Sequence, residues 1–274
     1  EQFENKESRE NILQFINNFL YVDDNAAYSI YRYFKEQYFY SLIPHNKQIV
    51  IEYYSEGYEN SKKYVIFHTL FGRRVNDVLS RAVGYVLGRI HKRDLEIGIN
   101  DNGFYIASKK PIQAIRAFSH LEPELLQHTM EEAIEKTEIL KRRFRHCAGR
   151  ALMILRNYKG KRKGVGRQQV SSMILLKALR DIDKNFSILK EAKREVLEDL
   201  MDIDNAKKIL EDIKDNKIRI QETKTTVPSP FAFNLITQSH LDIMRMEDRI
   251  DFINRMHKMV LAKIGKKRKL EDLY

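Results

Sequence analysis

A single cysteine, Cys147, excludes an intramolecular disulfide in this chain and leaves too few thiolates for most structural zinc sites. Such sparse cysteine use fits a reducing cytosol, and the chain reads as a cytoplasmic protein. No apolar run reaches the roughly 18 residues that a membrane span requires. A lone basic helix studded with Trp or Phe, the mark of a membrane-surface binder, is also missing. Catalytic signatures are just as scarce. No G-x-x-x-x-G-K-[ST] phosphate loop, no G-x-G-x-x-G dinucleotide loop and no H-E-x-x-H pair occurs. Asp202 and Asp204 have the spacing of a metal pair, but an Asp there far more often opens a helix. His240 and Asp242 lack a nucleophile beside them in sequence. Cys147 falls on an apolar helical stripe, where cysteine is a small core residue. Neither a catalytic residue nor a metal ligand is assigned. Low-complexity tracts and internal repeats are absent too.

The chain does hold 43% hydrophobic residues, with 14 Tyr and 14 Phe, enough to build a core despite 32% charged residues. The opening "EQFENKESRE" is polar and acidic, unlike a signal or transit peptide. It also lacks an initiator methionine, so the chain reads as a piece of a longer protein.

Periodicity predicts helices over Asn11–Leu20 and Asn25–Tyr38, with Pro44 ending that pattern. The runs Lys47–Tyr54 and Lys62–Leu70 are β-branched and aromatic, and the "SEGYENS" loop between them predicts a hairpin. Val75, Val78, Leu79, Ala82, Val83, Val86 and Leu87 carry the spacing of a helix. A second hairpin is predicted around Asn100–Gly103. One long helix is predicted over Glu124–Tyr158, with a stripe through Leu126, Met130, Ala133, Thr137, Leu140, Phe144, Cys147, Ala151 and Leu155. Helices near Arg167–Asp181, Ser187–Met201 and Asn205–Asp212 follow, then a strand "KIRIQETKTT". Ser229 suits a helix cap with Pro230 at the first helical position, and a last helix begins at Met246. The fold class is α+β and helix-dominated, one compact domain with a small antiparallel sheet or barrel.

Charge is distributed unevenly. The chain has 49 basic and 38 acidic residues, a formal net charge of +11. Lys141–Gln169 holds eleven of the Lys and Arg and no acid, so the remainder is balanced at 38 against 38. Helical stepping from Phe144 puts Arg142, Arg143, Arg145, Arg150 and Arg156 on the flanks and outer face, with Gly149 among them. Gly160, Gly164 and Gly166 allow a loop whose amides turn toward an anion, and the helix near Arg167 adds free N–H groups. The combination fits phosphate contacts made without reading sequence. A solvated helix face followed by a loop is the plainer alternative.

Three blocks then stand together: "IPHNKQIVIEYY…KKYVIFHTLFGRRVNDVLSRAVGY", "RFRHCAGRALMILRNYKGKRKGVGRQQ" and "TVPSPFAFNLITQSHLDIMRMEDRIDFINRMHKMV". From about Ile43 to Val260 the chain resembles the C-terminal part of the core of the archaeal large helicase-related (Lhr) family. These are superfamily-2 ATP-dependent helicases. The resemblance implies a lead-in over residues 1–42 from a preceding winged-helix domain. Residues 43–274 then form a C-terminal domain that encloses and guides the strand. It also implies two RecA-like domains elsewhere in the same polypeptide, holding ATP and magnesium and moving 3′ to 5′ on DNA or RNA, RNA:DNA hybrids included. This stretch alone would not hydrolyse ATP. The strand-facing set is then Arg73, Arg74, Arg142, Arg143, Arg145, Arg150, Lys161, Arg162, Arg167, Gln168 and Gln169, with Phe231 as a base-stacking platform. The family's terminal domain is similar in fold to helical DNA glycosylases that use Gln-x-Gln. This sequence contains none, although Gln238-Ser-His240 has a similar spacing. Base excision and protein docking are the alternatives to strand guiding.

Overall fold

The computed structural model describes residues 3, 5–55, 62–92, 95–183, 185–239 and 246–271. In chain order the elements are α1 (Arg9–Leu20), α2 (Asp24–Tyr40), β1 (Gln48–Ser55), β2 (Lys63–His68), α3 (Arg73–His91), β3 (Glu96–Asn100), β4 (Gly103–Ser108), α4 (Ala114–Phe118) and α5 (Leu126–Ile134). There follow α6 (Glu138–Arg150), β5 (Asn157–Tyr158), β6 (Lys161–Arg162), α7 (Val165–Ile182), α8 (Ser187–Arg194), α9 (Ile203–Lys214), β7 (Arg219–Thr225), α10 (Phe233–Ser239) and α11 (Met246–Glu271). The class is α+β and helix-dominated. The chain divides into two compact units where one was expected. The first comprises Glu1–Gly72, Leu95–Ala114 and Lys217–Tyr274; the second comprises Arg73–Asp94 and Ile115–Asn216.

The first unit is built on an open five-stranded sheet in the order β3-β4-β2-β1-β7. Both predicted hairpins form. Val50 pairs with His68 across β1–β2, and Asn100 with Gly103 across β3–β4. The second turn closes on itself because Asn102 N–H donates to the Asn100 side chain at 2.9 Å. Glycine is required at position 103, where any β-carbon would collide with the Phe67 carbonyl. The antiparallel expectation fails at one edge. β7 runs parallel to β1, from Gln48 opposite Arg219 to Tyr54 opposite Thr225, so the sheet is mixed and does not close into a barrel. One sheet face, with Tyr54, Tyr64, Ile66, Tyr105 and Ala107, buries against Ala232, Leu235 and Ile236 of the α10 region. Helices α1 and α2 pack through Ile12, Ile16, Ala27 and Tyr31, and α11 brings Val260 and Ile264 against Val227.

The second unit is helical. Within it α3 packs on α5 and α9, and α6 on α7 and α8. The single long helix predicted over Glu124–Tyr158 is in fact broken twice. Thr137 caps α6, its hydroxyl accepting from Leu140 N–H and donating to the Ile134 carbonyl that ends α5. Arg180 of α7 donates to the Glu135 carbonyl in the same gap, satisfying a backbone acceptor the break leaves free. At its other end α6 stops at Arg150, and Leu152 adopts a left-handed backbone, φ 57°. Phe144 and Cys147 are buried as the stripe requires, whereas Ala151 and Leu155 lie past the helix end and are exposed. The predicted helix at Ser187–Met201 also changes form, widening to π-helical turns over Glu195–Leu200. Asp202 caps α9, accepting from Asn205 N–H at 3.2 Å.

A buried carboxylate joins the elements of the first unit. Glu52 of β1 is fully buried and accepts four hydrogen bonds. Oε2 takes His68 Nε2 at 3.0 Å and Ser229 Oγ at 2.6 Å, while Oε1 takes Ser229 N at 2.7 Å and Thr225 Oγ1 at 2.8 Å. Ser229 stands at the predicted cap position, before a 3₁₀ turn over Pro230–Ala232, but its hydroxyl goes to Glu52 and caps nothing. These three residue types suggest a hydrolase triad, yet the serine hydroxyl donates to the carboxylate and not to the imidazole. Glu52, His68 and Ser229 are all buried, so no nucleophile faces solvent. The same segment is gripped from α2: Tyr40 hydroxyl donates to Val227 O at 2.7 Å, and Gln37 accepts from Phe231 N at 3.1 Å.

Burial alone would raise the Glu52 carboxyl, but the hydrogen bond and attraction from His68, with the two Ser229 donors, hold it below its ordinary 4.5. A depressed acid stabilises the fold above its unfolded pKa and loses that contribution as pH falls through the folded value. Glu52→Ala strands three buried donors and should cost about 3–5 kcal/mol in denaturant titration. In Glu52→Gln the acid-side fall in stability below pH 4.5 should be shallower than in the wild type.

Candidate nucleic-acid interface

The acid-free segment folds into three pieces of the second unit: α6, the β5–β6 hairpin and the first turn of α7. From sequence the middle piece is expected to be a glycine loop. It is a tight hairpin, in which Asn157 pairs with Arg162 and Tyr158 with Lys161. Its two central residues, Lys159 and Gly160, both have left-handed backbones (φ 48° and 73°), as a two-residue type I′ turn demands. Lys163 N–H donates to Arg156 O at 2.8 Å and extends the pairing by one step. Five cations, Arg156, Lys159, Lys161, Arg162 and Lys163, fall within these eight residues. Gly164 then caps α7 without a side chain, and nothing lies within 4 Å of where a Gly164 or Gly166 β-carbon would stand. Residues 164–167 are exposed, and this first turn follows directly on the cationic hairpin.

The twelve residues singled out from sequence divide into two sets. Five are engaged within the protein itself. Arg143 reaches Glu195 at 3.2 Å, and Arg150 pairs with the same carboxylate, whose side chain is only 6% exposed. Arg74 donates to the Glu198 and Met201 carbonyls and closes the π-helical turn. Gln168 donates to Lys163 O at 2.8 Å, tying hairpin to helix. Phe231, in the first unit, has its ring against Tyr33 at 4.9 Å and Phe34 at 5.2 Å, so it belongs to an aromatic cluster. Burial pushes the neighbouring Tyr33 hydroxyl up to about 12.

The other seven are not consumed. Arg73, Arg142, Lys161, Arg162, Arg167 and Gln169 are exposed and Arg145 is half-buried. Among the described residues none of these six cations has a carboxylate within ion-pairing distance. Two further contributors fall outside the set expected from sequence. Arg156 lies over the last turn of α6, its guanidinium 3.7 Å from where a Gly149 β-carbon would be. That is an ordinary contact, so Gly149 is not obligatory there. His146, exposed on α6, reports the local field: some burial, then the charges of Arg145, Arg143, Arg156 and Arg150, all lower its pKa. The acid-free run was the sequence signal for both residues. Four arginines thus lie close to one imidazole, although two of them, Arg143 and Arg150, are paired with Glu195. His240 and Asp242 lie outside the described residues.

Residues 43–232 match the model of the DEAD/H-associated family, well over half of the chain. The chain belongs to the DEAD/H-associated family. Its likeness to the archaeal Lhr helicases holds across nearly the whole length. The "ATP-dependent helicase Lhr-Core" of Methanothermobacter thermautotrophicus is 51% identical over 96% of this chain, which spans 30% of that protein. "ATP-dependent helicase Lhr-Core protein 2" of Thermococcus barophilus is 41% identical over 89% of the chain and 28% of its own length. A solved structure, Mycobacterium smegmatis helicase Lhr bound to ssDNA and AMP-PNP, matches with a TM-score of 0.69 and 27% identity, over 78% of this chain and 27% of that one. This DEAD/H-associated chain thus spans less than a third of the relatives it matches, and it is a helicase-associated domain.

The two arginine sets differ in what their removal should do. Arg143→Ala with Arg150→Ala leaves Glu195 buried and unpaired, and should cost about 3–5 kcal/mol in urea unfolding. Arg142→Ala, with no partner to strand, should stay within about 0.5 kcal/mol of the wild type.

Proposed function

We propose that this chain is the nucleic-acid-guiding domain of an ATP-dependent 3′–5′ helicase. It holds a single strand by its phosphates while motor domains of the same polypeptide translocate and unwind. ATP and magnesium would act in the RecA-like domains, and residues 1–42 would lead in from a winged helix. Unwinding in DNA repair or recombination, or on RNA:DNA hybrids, is the setting this reading implies. The observation that carries it is the run of Arg142, Arg145, Lys161, Arg162 and Arg167 along α6, the hairpin and the α7 start, none of them in an ion pair among the described residues, with the exposed Glu138 near Arg142 as the acid beside them. A solvated charge face would ordinarily alternate its signs. That the M. smegmatis relative was solved with ssDNA supports the choice of ligand.

Phosphate contacts bind all sequences alike and release counterions, so their signature is salt dependence. Neutralising Arg142, Arg145, Lys161 and Arg162 together should weaken binding of any single-stranded oligonucleotide. The slope of log affinity against log salt should become shallower by about 0.7 for each phosphate no longer held. Thermal unfolding should barely move. An unchanged slope in fluorescence-anisotropy titrations would assign these charges to another partner.

A further inference from the structure

The turn that ends α6 displays a leucine in a conformation that costs energy. Leu152 N–H donates to Gly149 O at 3.3 Å and Met153 N–H to Ala148 O at 3.0 Å, the paired bonds of a Schellman cap. Such a cap places its left-handed residue where glycine is favoured, because a β-carbon there crowds the following carbonyl. Here the position is Leu152, with φ 57° and the residue 74% exposed. The cap hydrogen bonds hold the backbone in that conformation, and the leucine stays exposed. The turn is not loose: Ile154, two residues on, is buried at 6% and its N–H also donates to Ala148 O. Tyr21, the left-handed cap of α1, is also exposed, so the strain alone assigns no role to Leu152 and its surroundings must.

The setting says what that role is. Leu152 bonds to the same glycine over which the Arg156 guanidinium lies, on the helix end where four arginines depress His146. Met153 and Leu155, among the next three residues, are 42% and 41% exposed. An apolar protrusion within a cationic face fits a polyanion that carries flat apolar groups between its charges. Single-stranded nucleic acid has that chemistry, and proteins often hold it by setting aliphatic or aromatic side chains against bases beside phosphate-binding cations. Building on the phosphate-guiding reading above, we infer that Leu152 is a base-contacting residue, packing its side chain on a nucleobase of the strand whose phosphates the neighbouring cations hold.

The test compares two labelled single strands of equal length, one of ordinary nucleotides and one of abasic residues with the same phosphates. The wild-type chain should bind the base-bearing strand about tenfold more tightly, the order of one base contact. Leu152→Gly should abolish most of that preference and bind both strands alike, with an unchanged salt slope. Because glycine suits the left-handed position, the variant should melt at or above the wild-type temperature, which separates removal of a base partner from damage to the fold. Leu152→Asn, also tolerant of that backbone, should behave like the glycine variant. Equal binding of the two strands by the wild type would overturn the inference, as would a preference that survives in Leu152→Gly. Absence of salt-dependent binding to either strand would instead overturn the nucleic-acid reading beneath it.

Discussion

The carboxylate of Glu52 is the constraint on which the first unit depends. A fully buried acid is tolerated only when its lone pairs are answered, and here four donors answer them. Those donors come from β2, from the end of β7 and from the turn beyond it. The sheet edge and the segment leading to α10 are thereby fixed to one strand. Tyr40 and Gln37 repeat the device from α2, gripping the same turn by its backbone. The aromatic cluster around Phe231 follows from that grip, since the turn fixes where its ring can lie.

Arginine is used in two ways on the second unit, and the difference is one of partners. Glu195 draws Arg143 and Arg150 inward, bracing α6 against the π-helical turn after α8. Arg142 and Arg145, on the same helix, do not reach that buried acid, and Arg142 has only the exposed Glu138 near it. A face meant to meet phosphates must be positive yet held in place. On the proposed reading, bracing and phosphate binding would fall to different residues of the same helix, so the proposed binding residues could change without loosening the helix that carries them.

Much of the fold was legible because local periodicity carries it. The hairpins at Asn100–Gly103 and Lys47–Leu70, and helices α3, α7 and α9, announce themselves by spacing and turn residues. What was not legible rests on partners far away in sequence. β7 reads as a strand, but nothing in "KIRIQETKTT" shows that it pairs in parallel with β1. Thr137 fits an apolar stripe as well as it fits a cap, and only Arg180, filling the gap beside it, separates the two readings. Arg142 and Arg150 look alike on a helical wheel, yet Glu195 claims one of them. The acid-free stretch was visible at once, while Leu152 was hidden by a helix predicted to run past it.

The parallel pairing of β1 with β7 has a kinetic side. Its partners are separated in sequence by 171 residues, from Gln48 to Arg219, and the bond from Ser229 to Glu52 spans 177. Pairings of such long range must meet the entropy of loop closure before they return any stability, so topologies rich in them fold slowly. The helices of the second unit, closed mostly by nearer partners, can form while β7 is still unplaced. Until it docks, β1 presents a bare edge and Glu52 lacks Thr225 and Ser229. A β7 that docks late would complete the carboxylate's shell as it arrives. Loop-closure cost grows only logarithmically with length, so the intervening helical unit can gain or lose residues with little effect on that step.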